Sequence, residues 1–171
     1  MKRTVKAELA LQPRMGLNTH RYMSSYRQIL YHIVFRTKDS KKTISLEHRE
    51  ELYKYIWGII THKKGFLYRI NGMEDHIHIL SDLHPTLALS NYIRDIKTAT
   101  SLWMKSGDKF PFFDGWADGY AALLTYAYGD KDKVIGYIKN QQEHHKNVSF
   151  EEEYRNLLVE QGIVIDEQYF P

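Results

Sequence analysis

Two strand-like segments separated by a very short connection constrain the fold more than any other feature of this chain. Residues 66–73 and 76–83 are both rich in apolar side chains, and only a few residues lie between them. Strands joined so closely form an antiparallel hairpin, because parallel strands need a crossover of about a dozen residues or more. The turn is predicted either at Asn71-Gly72, the stronger hairpin dipeptide, or at Glu74-Asp75, which leaves strands of better matched length.

The spacing of apolar side chains indicates further strands and helices. Residues 26–35 place apolar side chains on both faces, which predicts a central strand, and residues 120–128 predict a fourth strand. Other segments have apolar positions three or four residues apart, as in an amphipathic helix. These predicted helices cover 45–64, 85–105, 131–146 and a short acidic segment that begins after Ser149.

The order of these elements predicts the fold class. Strand, helix, strand, strand, helix, strand is typical of the ferredoxin-like α+β fold, an antiparallel four-stranded sheet with its helices on one face. The helix predicted over 131–146 is extra to this arrangement. We expect this C-terminal helix at an edge of the sheet, on its open face, or docked on the partner subunit of a dimer.

The composition excludes several classes of protein. The chain has 171 residues and no cysteine, which excludes disulfide scaffolds, thiolate metal sites and cysteine nucleophiles. A reducing, cytoplasmic location is therefore expected. No apolar run approaches the ~20 residues of a membrane-spanning helix, so no membrane partner is predicted.

The charge is distributed unevenly along the chain. The net charge of +3 divides into +4 for residues 1–25, +5 for residues 26–109 and −6 for residues 110–171. We predict a basic flexible leader over 1–25, one folded domain over 26–147, and an acidic C-terminal helix and tail over 148–171. The basic leader and domain are compatible with a nucleic acid partner.

Two histidines on the third predicted strand form a candidate metal site. His76 and His78 are two residues apart, so both imidazoles lie on one side of the strand. Neutral imidazoles chelate divalent ions, and a pair of them leaves coordination positions open for a substrate. The alternative is that a half-buried strand simply exposes two polar side chains.

A tyrosine and a glutamine on the extra helix form a second candidate pair. Tyr137 and Gln141 are four residues apart and lie on one helix face beside apolar positions, which directs them toward the sheet. Tyrosine can act as a covalent nucleophile, and glutamine offers a neutral oxygen ligand. The alternative is a semi-buried aromatic ring beside a surface amide. His145, four residues beyond Gln141, is either a spare ligand or a helix-end cation.

Six basic residues are candidates for contacting phosphates, although such charges also commonly serve as solvated faces. They are Arg36, Lys38, Lys41, Lys42, Arg94 and Lys97.

Four stretches of this sequence resemble a known family of DNA-processing enzymes. Residues 74–80, with the His76-Ile77-His78 motif, and residues 134–141, with Tyr137 and Gln141, are similar to the single-tyrosine HUH transposases of the insertion-sequence-200/605 kind. Residues 31–38 and 116–120 also look like that family. REP-associated tyrosine transposases are close relatives of it. The resemblance spans residues 26–147.

The resemblance implies a metal-dependent DNA nicking and strand-transfer enzyme. By analogy, His76, His78 and Gln141 would hold Mg²⁺ or Mn²⁺, and Tyr137 would form a 5′-phosphotyrosine with single-stranded or hairpin DNA. It also implies a homodimer. Two alternatives remain open: a domesticated DNA-binding or regulatory module with this fold and no turnover, and a metal-dependent phosphoesterase that uses water instead of tyrosine.

Overall fold

The computed structural model describes residues 29–125, 128–168 and 170. The predicted leader over 1–25 lies outside the described residues. Four strands and five helices follow in chain order, with a short 3₁₀ turn at Lys38–Ser40 after the first strand. They are β1 Leu30–Arg36, α1 Arg49–His62, β2 Leu67–Gly72, β3 His76–Ser81, α2 Leu89–Lys105, β4 Ala121–Thr125, α3 Tyr128–Lys139, α4 Gln141–His144 and α5 Phe150–Glu160.

The four strands form one antiparallel sheet in the order β2-β3-β1-β4. This arrangement confirms the predicted α+β fold with a central first strand. Gly72 is still paired, opposite Ile77, and the Met73 amide donates to the His76 carbonyl. The turn therefore lies at Glu74-Asp75, so the prediction from matched strand lengths is confirmed and the one from the Asn71-Gly72 dipeptide is wrong.

Helices α1 and α2 cover the face of the sheet formed by the odd-numbered residues of β1 and β3. Their buried side chains pack against this face to make the main core, in which each large apolar side chain contributes about 1.5–3 kcal/mol. The largest fully buried members are Ile33, Ile77, Ile79, Leu52, Ile56, Ile60, Tyr92, Ile93 and Ile96.

The other face of the sheet carries α3 and α5 from the same chain. Ile138 of α3 packs on Leu30 and Leu80, and Phe150 of α5 packs on Val34. Of the three places expected for the extra helix, the open face is the one observed. Both faces of the sheet are therefore covered, and the even-numbered side chains of β1 and β3 are enclosed between the sheet and the C-terminal helices.

Several helix boundaries differ from the sequence prediction. α1 begins at Arg49, after a turn over 46–48, and α2 begins at Leu89, because the preceding Ala88 is extended with ψ of 135°. The single helix predicted over 131–146 is interrupted at Asn140, which separates α3 from α4. Ser149 caps α5 as expected, with its hydroxyl accepting from the Glu152 amide.

Among the described residues, no helix combines the length and the apolar character needed to cross a bilayer.

Candidate active site

The two strand histidines lie side by side in the enclosed layer between the sheet and the C-terminal helices. His76 and His78 of β3 are fully buried, and their ring centroids are 5.0 Å apart. The strand period places them on the same side, as expected, while Ile77 and Ile79 enter the main core. They are not an exposed polar stripe, because α3 and α5 cover this side of β3.

Tyr137 and Gln141 reach the same layer from the interrupted helix. Asn71 of β2 fixes the interruption: its side-chain amide donates to the Ile138 carbonyl at 2.9 Å and the Lys139 carbonyl at 3.2 Å. It also exchanges two hydrogen bonds with the amide of Gln142. These contacts satisfy carbonyls at the end of α3 that have no partner within the helix, and so hold the Tyr137 end against the sheet.

His76, His78, Tyr137 and Gln141 form one cluster with a carboxylate from α5, which lies at its centre. Glu153 is 2% exposed, and its Oε1 accepts hydrogen bonds from the Tyr137 hydroxyl and from Gln141 Nε2, the latter at 2.9 Å. Its Oε2 accepts from His145 Nε2 at 3.0 Å. The sequence interpretation missed Glu153. A signal existed, because Glu153 falls on the buried face of α5 with Phe150, where an unpaired acid would be costly.

The ionisation of these groups follows from their burial and their neighbours. Burial alone would raise the pKa of Glu153, but His145, His78 and Tyr137 outweigh it and hold that pKa far below its usual range. Burial would lower the pKa of His145, whereas the bond and charge of Glu153 raise it above the ordinary value. Both ring nitrogens of His145 face acceptors, since Nδ1 donates to the Val148 carbonyl at 2.8 Å. His145 and Glu153 therefore form a buried ion pair.

Tyr137, His78 and the neighbouring His32 are neutral in this environment. Burial, and then the neighbouring Glu153 carboxylate, raise the pKa of Tyr137 well above its usual range. Burial lowers the pKa of His78 to about 4, and that of His32 on β1 to about 3. Neutral imidazoles keep a lone pair available for a metal ion.

The donor set fits a divalent cation. One ligand atom from each of His76, His78, His145 and Glu153 lies within 4.8 Å of all the others. Among the described residues, His76 Nε2, His78 Nε2 and Gln141 Oε1 are buried without any hydrogen-bond partner. Such orphaned buried atoms are costly unless something binds them. Imidazole nitrogens combined with carboxylate and amide oxygens suit a divalent ion, so the cluster is consistent with a metal site.

The Nδ1 atom of each strand histidine contacts a second side chain. His76 Nδ1 donates to Asp75 Oδ1 at 2.6 Å, and His78 Nδ1 lies 3.0 Å from His32 Nε2. The Nε2 atoms of His76 and His78 point instead toward Glu153, at 3.7 and 3.4 Å from its Oε2. Both rings therefore turn the same nitrogen toward the cluster.

The predicted phosphate contacts fall into two groups. Arg36, at the end of β1, pairs in register with His76 and donates to Ser40, and the next three basic residues follow it in the adjoining loop. In that loop Lys38 is paired with Asp114 at 2.8 Å and Lys41 with Asp39 at 3.1 Å, and both remain exposed, as does Lys42.

The other two predicted contacts lie on α2, across the sheet from the cluster. Lys97 is half-buried and donates to the carbonyls of Ala117 and Gly119 at 2.7 and 2.9 Å, so it braces the 116–120 loop. Arg94 is exposed in the groove between α1 and α2. Of the six predicted contacts, Arg36 is therefore the one that the strand register places beside a cluster residue.

Comparison with known proteins identifies the family. The family model described as "Transposase IS200 like" matches residues 25–141. The chain is 26% identical over 121 residues to the transposase for insertion sequence element IS200 of Salmonella typhimurium, covering 68% of this chain and 78% of that protein. The transposase of the same name from Salmonella typhi matches equally well.

Two solved structures share the fold. A putative transposase from Deinococcus radiodurans superposes with a TM-score of 0.55 at 23% identity, covering 71% of this chain and 96% of that one. A REP-associated tyrosine transposase bound to a REP hairpin superposes with a TM-score of 0.53 at 16% identity, covering 74% of this chain and 76% of that one. These two likenesses concern the fold. The family model spans all four strands and the helices α1 to α3, and it shows that this chain belongs to the IS200-like transposase family.

Proposed function

We propose that this protein is a metal-dependent DNA strand-transfer enzyme that uses Tyr137 as its nucleophile on single-stranded or hairpin DNA. The observation that carries the proposal is the meeting of the Tyr137 hydroxyl, both strand histidines and Gln141 around one buried carboxylate. All of these groups come from one chain. This supports a reaction in which Tyr137 acts within its own subunit.

The chemistry is an exchange of one phosphoester for another. The Tyr137 Oη forms a bond to phosphorus while the bond from phosphorus to the 3′-oxygen breaks, which gives a 5′-phosphotyrosine and a free 3′-OH. The phenolic proton has an acceptor in place, because it already lies on the hydrogen bond to Glu153 Oε1. The leaving 3′-oxygen takes a proton from solvent. A 3′-OH can later reverse the reaction and rejoin DNA without an external energy source.

His76, His78 and Gln141 are the residues proposed to hold Mg²⁺ or Mn²⁺. Glu153 is close enough to take part, as is His145 if it gives up the Nε2 proton that it donates to Glu153. Such an ion supplies positive charge beside the phosphate oxygens, where negative charge builds up during attack. The protein also shields these residues from water, because His76, His78 and Gln141 are each 0% exposed. In such surroundings, interactions between charges are stronger than in water.

The DNA is proposed to approach along the loop after β1. Arg36, Lys38, Lys41 and Lys42 offer positive charge at the end of the strand that neighbours His76. Phosphate contacts of this kind supply affinity that falls steeply with salt. A hairpin substrate is supported by the REP-associated transposase of similar fold, which was solved bound to a REP hairpin.

The homodimer stays a prediction, which sedimentation at several protein concentrations would measure.

The test is covalent capture of DNA by the full chain. Labelled hairpin DNA is incubated with protein and Mg²⁺ or Mn²⁺, and a denaturing gel reports the adduct. We expect an adduct that is lost in Tyr137→Phe and kept in the matched variant Tyr120→Phe, whose ring is exposed outside the cluster. Alanine at His76 should abolish the adduct while DNA binding persists.

The same assay separates the alternatives. Salt-dependent binding without an adduct in any metal would favour a binding or regulatory module and contradict the proposed enzyme. Metal-dependent cleavage that survives in Tyr137→Phe would favour a phosphoesterase that uses water.

A further inference from the structure

His32 on β1 contacts His78, one of the proposed metal ligands. It is 5% exposed, its Nε2 lies 3.0 Å from His78 Nδ1, and the two rings stack with centroids 5.2 Å apart and planes 29° apart. β1 and β3 are adjacent strands, and both side chains lie on the face that α3 and α5 cover. The rings of His32 and Tyr137 also meet edge to face, with centroids 6.0 Å apart.

Only one hydrogen can lie between the two facing nitrogens, His32 Nε2 and His78 Nδ1. Two imidazole nitrogens at 3.0 Å form a hydrogen bond when one of them carries hydrogen and the other offers a lone pair. For His78 to bind a cation through Nε2, its own proton must be on Nδ1. The facing nitrogen of His32 must then be the acceptor, which places the proton of His32 on its other nitrogen.

We propose that His32 is a positioning residue of the metal site, which accepts a hydrogen bond from His78 Nδ1 and so presents His78 Nε2 to the cation. The proposal rests on the metal site assigned under the proposed function. Metal-bound histidines commonly donate their second nitrogen to such a partner, which fixes the tautomer and the ring orientation.

The two strand histidines have different kinds of partner. Asp75 offers His76 a carboxylate, which can only accept while it is ionised. His32 offers His78 a neutral ring, which can either accept or donate. The tautomers of His32 and His78 must therefore change together if the metal-free protein holds the shared proton on His32. A neutral partner also adds no charge beside the cation.

The test compares two substitutions at His32 in the full chain. His32→Phe keeps a flat ring but removes the acceptor, and His32→Gln restores an oxygen that can accept. We expect Mn²⁺ affinity, measured by electron paramagnetic resonance, to fall about 10- to 100-fold in His32→Phe and to recover largely in His32→Gln. His62→Phe, at the end of α1 and on the other side of the sheet, is the matched control and should bind Mn²⁺ as the wild type does.

A second measurement distinguishes positioning from simple support of the fold. Ring ¹⁵N spectra of the Mg²⁺-saturated protein should show the proton of His78 on Nδ1, and His32→Phe should broaden or shift this signal while the unfolding midpoint changes little. Unchanged Mn²⁺ affinity in His32→Phe, or a proton on Nε2 of His78 in the loaded protein, would overturn the role of His32. Absence of Mn²⁺ binding in the wild type would instead overturn the proposed metal site itself, and with it this role.

Discussion

Tyr137 and Glu153, sixteen residues apart in the chain, share a hydrogen bond in which the phenol donates to the carboxylate Oε1. Glu153 lies beyond residues 25–141, the part of the chain that the family model matches. The C-terminal helix therefore contributes a buried group to the site, and the state of Tyr137 depends on a segment outside the matched region. The acidic charge of this segment is used inside the protein as well as on its surface.

The carboxylate of Glu153 should control metal affinity. Glu153→Gln keeps an oxygen that accepts from Tyr137 but removes the negative charge that faces His76 and His78. We expect calorimetry to show Mn²⁺ affinity lowered about tenfold or more, which corresponds to about 1.4 kcal/mol. Glu152→Gln, one residue earlier and exposed, is the matched control. Equal affinities in the two variants would show that Glu153 does not act through its charge.

The ion pair between Glu153 and His145 should stabilise the protein most in a mildly acidic window. The folded-state pKa of Glu153 is depressed, so its contribution is present above the ordinary value of 4.5 and is lost as pH falls. The folded-state pKa of His145 is raised, so its contribution is present below the ordinary value of 6.5 and is lost as pH rises through the folded value. Both contributions are present together between those two pH values.

Urea unfolding of the wild type and His145→Gln across pH 4 to 9 would measure this window. The free energy of unfolding of the wild type should exceed that of the variant most between pH 4.5 and pH 6.5, the ordinary pKa values of the two groups. This difference should narrow toward higher pH. The buried His32 and His78 titrate in both proteins, so their effect largely cancels in the difference. A gap that grows with pH would contradict the ion pair.

The sheet and the placement of four residues of the cluster could be predicted from sequence, because both follow local patterns. His76 and His78 follow from the two-residue strand period, and Tyr137 and Gln141 from the helix spacing. The interruption at Asn140 was missed because it depends on Asn71, which is more than 60 residues away in the chain. Glu153 and His32 were missed for the same reason: their roles exist only once α5 and β1 lie beside β3.

Asn71 should be required to hold α3 in place. Asn71→Ala removes the donor to the Ile138 and Lys139 carbonyls and leaves Gln142 with only its hydrogen bond to the Gly72 carbonyl, so we expect a loss of about 1–3 kcal/mol in unfolding free energy. Because Tyr137 lies on the last turn of α3, adduct formation should slow by about 10- to 100-fold. Asn91→Ala, exposed on α2, is the control.

Hydrogen exchange would locate the effect of Asn71→Ala. Faster exchange of amides in α3, with α1 and α2 unchanged, is expected if Asn71 anchors only the C-terminal face. Uniformly faster exchange would show that the loss is one of global stability.

Gly72 should be required by the close approach of the β2 and β3 backbones beside His76. A Cβ added at Gly72 would lie 2.2 Å from the His76 carbonyl oxygen and 2.9 Å from Ile77 Cα, and both are backbone atoms that cannot rotate away. Gly72→Ala should therefore cost about 3 kcal/mol or more of unfolding free energy, at the upper end for overpacking.

Gly58→Ala should have the opposite effect on the unfolding free energy. Gly58 lies within α1 and a Cβ there would meet no atom within 4 Å, so alanine should stabilise the protein by about 0.5–1 kcal/mol through helix propensity. Because the Gly72 clash is with the carbonyl of His76 itself, the strand must shift to relieve it. Folded Gly72→Ala should then also bind Mn²⁺ more weakly than Gly58→Ala, and equal Mn²⁺ affinities would show that the hairpin end can move without displacing the metal ligands.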